Sequence, residues 1–490
     1  MNPTARSRKS FHHLKKQGGA FAFLSVPLML VILVLCGLAL DLGQLFNRKV
    51  ELHGIAKVAA LAAARELNGT AGGIGNARNK AREAAEKLIY QYRVPVSWND
   101  AAIRFGSSPS RSGEWLPASG PGDPATVFYV KADTAGLGAQ TGQVSTFFMG
   151  AFSRSLGTVE LADSAIAGRT AINVLPIAVC AMSTVAAAPR THAGVAAAEL
   201  VEFGFRRGVS YNLMQLNPVG PAPARFLVNP TSRPGTQSVP PLDPSIIGPF
   251  VCAGTMWIPR LEGGPIRVSA LPASSPLGSI HMFLNARFDQ FTSAMCSPNG
   301  GPPDYNVKAY AHDLKDGTPW MKPAIGNASA LSVSSATRLE TIADLPQAPG
   351  GTTAESYGPL WAYAKAAKYS SSEPANGYDV FSTADWPGLY KSGPTAPGYP
   401  SGGVAPYKAT MGLNYSPPRT ENVEISSDQR RVLNVPLLSC PVGAGNNMQA
   451  QVLGIGRFFM TVPASSENLI AEFAGTIAPQ LLTGRVELFP

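Results

Sequence analysis

From residue 17 to residue 40 the chain carries no charged side chain, and the sixteen residues before that run carry only positive ones. A backbone in lipid must satisfy every N–H and C=O within its own segment, so a lone apolar stretch can cross a bilayer only as a helix. At about 1.5 Å of rise per residue, residues 19–40 reach roughly 33 Å, against a hydrocarbon core of about 30 Å. The run therefore reads as a membrane span, with Pro27 near its cytoplasmic end, where a kink is tolerated.

The flanks set the expected orientation. Arg6, Arg8, Lys9, Lys15 and Lys16 precede the span and Asp41 follows it, which by the positive-inside bias places the N-terminus in the cytoplasm and the rest outside. This divides the start of the chain into a basic tail (1–18) and a transmembrane helix (19–45). The formal net charge is +9, and the five tail cations account for more than half of it. The basic pI thus argues for contact between the tail and inner-membrane lipid head groups and not for nucleic acid. Gly37-Leu38-Ala39 has the small-x-small character of a signal-peptidase site, but an apolar run longer than the usual 7–15 residues favours a retained anchor. Cys36 follows Leu35, where a lipidated cysteine would need a small residue before it, so it reads as an apolar helix residue.

Beyond the span, 49 Gly, 43 Pro and only 14% charged residues predict a body rich in turns and strands. The expected class is α+β: a transmembrane helix continuing into a periplasmic helix, then a loop-rich, strand-containing ectodomain. Four cysteines fall in that body, Cys180, Cys252, Cys296 and Cys440. In an oxidising compartment an even number implies two disulfides, with three pairings open. No C-x-x-C spacing supports zinc.

The helical period outlasts the span: Leu52, Ile55, Ala59, Ala62 and Ala63 recur at three- and four-residue spacing until Asn68-Gly69 stops it. Small side chains admit close helix approach, which makes Ala56, Ala59, Ala60 and Ala63, with Asp41 at the membrane exit, a candidate seam for a partner helix. The competing reading rests the same face on the chain's own ectodomain. A second helix after the Gly-rich turn at 71–75 places Ala77, Ala81, Ala84, Leu88 and Tyr92 on one face, and pairs Arg82 with Glu86 and Glu83 with Lys87 on the other. Residues 46–93 thus form a helical hairpin.

From residue 94 the period changes. Residues 126–132 and 158–166 read as strands on either side of an apolar, helical 144–156, and 106–124 is turn-rich. Residues 431–438 and 451–462 alternate like a strand pair around a turn at 443–447. The expectation is one sheet built from a first segment (94–180) and a C-terminal segment (426–490), with a Pro/Gly-rich region (181–425) inserted. That insert carries nine prolines between 217 and 250, and reads as long ordered loops on a scaffold. Its aromatics Trp386, Tyr390 and Tyr399 either contact partners or tack the loops down.

None of the recognisable catalytic strings occurs: no G-x-S-x-G, H-E-x-x-H, G-x-x-x-x-G-K-[ST] or G-x-G-x-x-G opening a helix. Of six histidines, His12 and His13 lie in the tail and His53 in the juxtamembrane helix, leaving His192, His281 and His312 for the body. No catalytic, cofactor-binding or metal-binding residue is assigned, and the protein is read as a non-enzyme. The sequons at Asn68, Asn327 and Asn414 occur by chance in many chains and carry no weight.

Gln17-Gly18-Gly19-Ala20, the span with Pro27, residues 40–46 (LDLGQLF) and residues 59–69 (AALAAARELNG) together resemble the TadG-like proteins of bacterial tight-adherence (Flp pilus) systems. Residues 144–157, 165–180 and the closing strands echo the same family. The resemblance implies a single-pass inner-membrane protein with a periplasmic ectodomain, working with other Tad pilus-assembly proteins, or as a homo-oligomer, in assembling or anchoring Flp pili. Pilins of that machinery carry Glu five residues after a cleavable Gly, where this chain has Leu24 or Phe23. The D-x-S-x-S string of a von Willebrand A metal site is also missing. Pilin processing and metal-dependent adhesion are therefore not carried over. The readings from other classes are a membrane-tethered or secreted hydrolase with a dispersed site, and a cell-envelope adhesin acting alone.

Overall fold

The computed structural model describes residues 18–91, 93–239, 243–261, 264–311, 320, 328–335, 338–374, 376–395, 398–482 and 484–489. The basic tail with Arg6, Arg8, Lys9, Lys15 and Lys16, together with His12, His13, Tyr92, His312 and Asn327, lies outside the described residues.

Helix α1, Gly18–Ala64, runs 47 residues without a break, about 70 Å at 1.5 Å per residue. Its two halves differ in what surrounds them. From Phe23 to Leu33 the apolar side chains are exposed, whereas Leu52, Ile55, Ala56, Ala59, Ala60, Ala63 and Ala64 are buried. The first half is apolar all round, the second only along a stripe, which is the difference between a helix solvated by lipid and one packed on a body. The turn that follows is built from side-chain acceptors: Asn68 Oδ1 accepts the Thr70 N–H at 3.1 Å and its O–H at 2.8 Å, and Thr70 Oγ1 accepts the Gly73 N–H at 3.0 Å as the N-cap of α2, Ala71–Glu86. A Cβ on Gly73 would fall 1.9 Å from Asn68 Oδ1, so only glycine lets the turn close. The glycines expected as a turn at 71–75 thus belong to the first turns of the helix.

Helix α2 folds back on α1 and buries Ile74, Ala77, Ala81 and Ala85. Its outer face pairs Glu83 with Lys87 at 2.8 Å, as the spacing predicts, but Arg82 turns away from Glu86 to Asp100 at 3.0 Å, joined there by Arg78. A five-stranded antiparallel sheet packs against α1, in the order Val486–Phe489, Ser164–Arg169, Tyr129–Asp133, Ile103–Gly106, Leu116–Pro117. Val130 pairs with Ala167 and Ala132 with Ala165. Small residues of that surface, Ala132, Ala165 and Ala167, share one core with the alanines of α1.

The second sheet has eight strands, ordered Ser210–Asn212, Ile470–Thr476, Val452–Met460, Val432–Leu438, Ile177–Cys180, Arg225–Val228, Ile266–Ala270, Asn446–Ala450. The step from Val432–Leu438 to Ile177–Cys180 is parallel and the others are antiparallel. The expected single sheet is therefore two. The strand near 165 pairs with the strand near 130 on one side and with the last described strand on the other, while the 432–460 hairpin pairs with strands from 177 onward. The segment expected as a turn at 443–447 runs into a strand, Asn446–Ala450, that pairs with Ile266–Ala270. A two-strand hairpin leaves two open edges, and here Ile470–Thr476 takes one and Ile177–Cys180 the other, with strands of the insert added beyond each.

In the described part of the insert, aromatic side chains form core. Trp361 and Trp386 meet edge to face at 5.1 Å, Trp361 Nε1–H donates to Tyr390 Oη at 2.9 Å, and Tyr399 Oη–H donates to the Trp361 carbonyl at 3.1 Å. Trp361, Trp386 and Tyr390 are fully buried, so they tack the loops down and offer a partner no surface. Cysteines pair as Cys180–Cys440 and Cys252–Cys296. The first joins a central strand of the large sheet to the segment just after Val432–Leu438, and the second joins helix Pro244–Ala253 to a loop.

Candidate functional site

One helix of the described chain is long and apolar enough to cross a membrane, Phe23–Ala64 within α1, with a mean hydropathy of 2.8 over its most apolar window. The distinctive geometry lies where the uncharged run ends. Asp41 is only 2% exposed, and its carboxylate accepts the backbone N–H of Phe147 at 3.1 Å and of Met149 at 2.6 Å. These are amides of a short tip helix, Phe147–Phe152, on a hairpin whose strands are Gln143–Ser145 and Thr158–Glu160. One turn back, Gly37 makes room for the Phe148 ring: a Cβ there would come within 2.2 Å of it. Asp41 was expected, with the alanine seam, to face a partner helix. It is instead spent on its own chain, because an aspartate next to the uncharged run is costly unless hydrogen-bonded.

Two turns further on, Arg48 is buried, pairs with Glu51 at 3.0 Å and lies over the Tyr90 ring at 4.8 Å. The exposed apolar face of α1 continues past Asp41 through Leu42, Phe46 and Val50. Ala56, Ala59, Ala60 and Ala63 are at most 1% exposed and pack into one core with α2 and the five-stranded sheet. The alanine face is thus occupied by its own chain. Close approach is what those alanines provide, and α2 and the sheet reach them first.

The body also holds ionisable side chains that sequence spacing did not bring together. His192 Nε2 lies 2.7 Å from Glu199 Oε2, and Arg206 Nε donates to the same carboxylate at 2.8 Å while its terminal nitrogens donate to the carbonyls of Ala343 and Leu389. Burial pushes Glu199 up, but Arg206 and His192 outweigh it and hold the carboxyl below its ordinary range. A second cluster centres on Asp304, which accepts Tyr407 Oη–H at 2.9 Å and the Arg431 N–H at 3.0 Å. The Arg431 guanidinium donates to the carbonyls of Asn306, Lys308, Met460 and Thr461. In a third place Glu472 accepts the N–H groups of Ala362, Tyr363 and Ala364 at 2.6, 3.0 and 2.6 Å. Burial, working against those three donors, raises its carboxyl to about 7.

Glu472 and the Arg206 and Arg431 guanidiniums spend polar atoms on neighbouring backbone, while Glu199 and Asp304 also hold side chains of their own clusters, and both kinds of bond fix loops to sheet. The i,i+7 spacing of His192 and Glu199 is readable in hindsight as two positions of one hairpin, since Arg190 pairs with Glu199. Among the described residues no group of three or more His, Cys, Asp or Glu is arranged to hold a metal ion.

The uncharged run, its end at Asp41 and the buried alanine stripe all lie in one helix, and the family match falls on it. Residues 19–66 match the Flp pilus-assembly TadE/G-like family (Tad). The Tad match ends two residues after α1 does, so it covers the anchor and the spine of the small core and leaves both sheets outside. Comparison with curated proteins and with solved structures gives no significant match.

Proposed function

We propose that the protein is a non-enzymatic, single-pass component of Flp pilus assembly or anchoring, held in the bacterial inner membrane with its N-terminus cytoplasmic and its body periplasmic. The observation that carries this reading is that all but the last two of the Tad-matching residues 19–66 lie in one continuous helix. Half of it is solvated as lipid would solvate it, and half is buried as the spine of the body. A force or displacement on the body is transmitted to the anchor through an unbroken rod and not through a linker. The two disulfides support that side assignment, since such bonds persist in oxidising compartments. Contacts with other pilus-assembly proteins would use the body's surface or the exposed face of α1, because the alanine stripe is filled.

Deletion of the gene, followed by complementation with the full chain, tests the reading. Loss of surface pili restored by the wild-type chain is the expected result. Unaltered pili in the deletion strain would overturn it. A chain in which residues 1–45 are replaced by a cleavable signal peptide should be exported and folded yet fail to complement.

A further inference from the structure

The hairpin 143–160 presents its apolar side chains where a water-soluble loop would hide them. Phe147 is 80% exposed and Phe152 65%, and Leu156 is exposed as well. Its depth is fixed by α1: the Phe148 ring sits in the Gly37 notch, inside the uncharged run, and Asp41 holds the Phe147 and Met149 amides at the end of that run. Between Gln143 and Val159 the sole charged residue is Arg154, which is exposed.

Besides the Phe147 and Met149 amides that Asp41 holds, backbone groups of the tip bond within the hairpin. Thr146 N–H donates to the Gly157 carbonyl at 3.1 Å, Leu161 N–H to Gly142 at 3.0 Å, Ser153 N–H to Met149 at 3.1 Å and Leu156 N–H to Ser153 at 2.9 Å. The Thr146 hydroxyl takes the Leu156 carbonyl. Hydrogen-bonded backbone, outward aromatics and one cation are what the interface of a bilayer selects, with aromatic rings at head-group level and the guanidinium reaching phosphate.

We infer that this hairpin is a second membrane contact, its Phe147–Phe152 tip immersed in the interfacial layer of the leaflet into which Asp41 emerges, beside α1. The inference rests on the reading that α1 spans the bilayer. The occupant of the exposed face is glycerophospholipid, because the element is tied to the span at the level of Gly37. Pinned at this point as well as by α1, the body cannot swing freely about the helix axis.

The test uses the full chain carrying Cys36→Ala, reconstituted in vesicles of phosphatidylethanolamine and phosphatidylglycerol. One cysteine per variant carries an environment-sensitive fluorophore: Phe152→Cys or Phe147→Cys at the tip, Leu30→Cys in the span, and Val404→Cys on the body. The expected result is quenching of both tip probes by a nitroxide placed near the lipid head groups, with several-fold less iodide quenching than at position 404, while the probe at 30 responds to a deep-chain nitroxide. Tip probes quenched by iodide as strongly as position 404, with position 30 still lipid-quenched, overturn the inference. They leave the span intact and assign the tip to water or a protein partner. A probe at 30 that no lipid nitroxide quenches overturns the span itself and the inference with it.

Discussion

The Asp41 carboxylate, on the long apolar helix, accepts the backbone N–H of Met149 at 2.6 Å across 108 residues of sequence. Together with the Phe147 N–H it makes one side chain the clasp between the anchor and the tip hairpin. In Asp41→Ala two charge-assisted hydrogen bonds disappear, each contributing about 1.5–3 kcal/mol. The amides of Phe147 and Met149 should then exchange with solvent roughly 10- to 100-fold faster, measured by hydrogen–deuterium exchange on the detergent-solubilised chain, while amides in Val452–Met460 keep their protection.

Ala59 and Ala63 are fully buried between α1, α2 and the small sheet. Ala59→Leu and Ala63→Leu should each cost about 1–3 kcal/mol by overpacking. The expected outcome is a lower unfolding temperature and reduced accumulation of the full chain. Wild-type stability in both variants would show that α2 is free to leave this face and that a partner helix has room there.

Peptide mapping without reduction should recover Cys180 linked to Cys440 and Cys252 linked to Cys296 and no other pairing. By the chain-entropy relation a separation of 44 residues corresponds to about 4 kcal/mol, and a separation of 260 to somewhat more. Cys180→Ser with Cys440→Ser should therefore lower the unfolding temperature more than Cys252→Ser with Cys296→Ser.

Glu472 gives the body a pH signature. Its folded carboxyl is raised to about 7 from an ordinary 4.5 by burial, so the folded state holds the proton more tightly than the unfolded state. That contribution is complete below about pH 4.5 and is lost as pH rises through 7, a change on the order of 3 kcal/mol. Glu472→Gln should abolish this component, and the wild type minus variant difference in unfolding free energy should shrink between pH 5 and pH 8. A difference that grows over that range would mean the three amide donors keep Glu472 ionised in the fold.

Arg206 sits fully buried against Glu199 and under the Tyr390 ring. Removing one member of a buried pair leaves the other charge uncompensated, at about 3–5 kcal/mol. Arg206→Met should therefore destabilise the body by that order, read by chemical denaturation. The double variant with Glu199→Gln should recover part of the loss, which distinguishes an orphaned charge from lost packing.

The sequence by itself determined the span, the class and the cysteine set. Lipid imposes a one-dimensional condition, an uninterrupted apolar length, and residues 17–40 meet it without reference to anything distant. The helical continuation to Ala64 was equally legible, because a period of three and four residues is local. Only the tertiary structure decided what covers each face. Alanine spacing says that something may approach closely but not what, and α2 with Ala165 and Ala167 fills the place a partner was expected to take. The role of Asp41 as a clasp was not legible because the amides that donate to it lie more than a hundred residues away. The division into two sheets was hidden for the same reason: strand pairing such as Val486 with Arg169 is a long-range choice, made by which edges remain open once the core has closed.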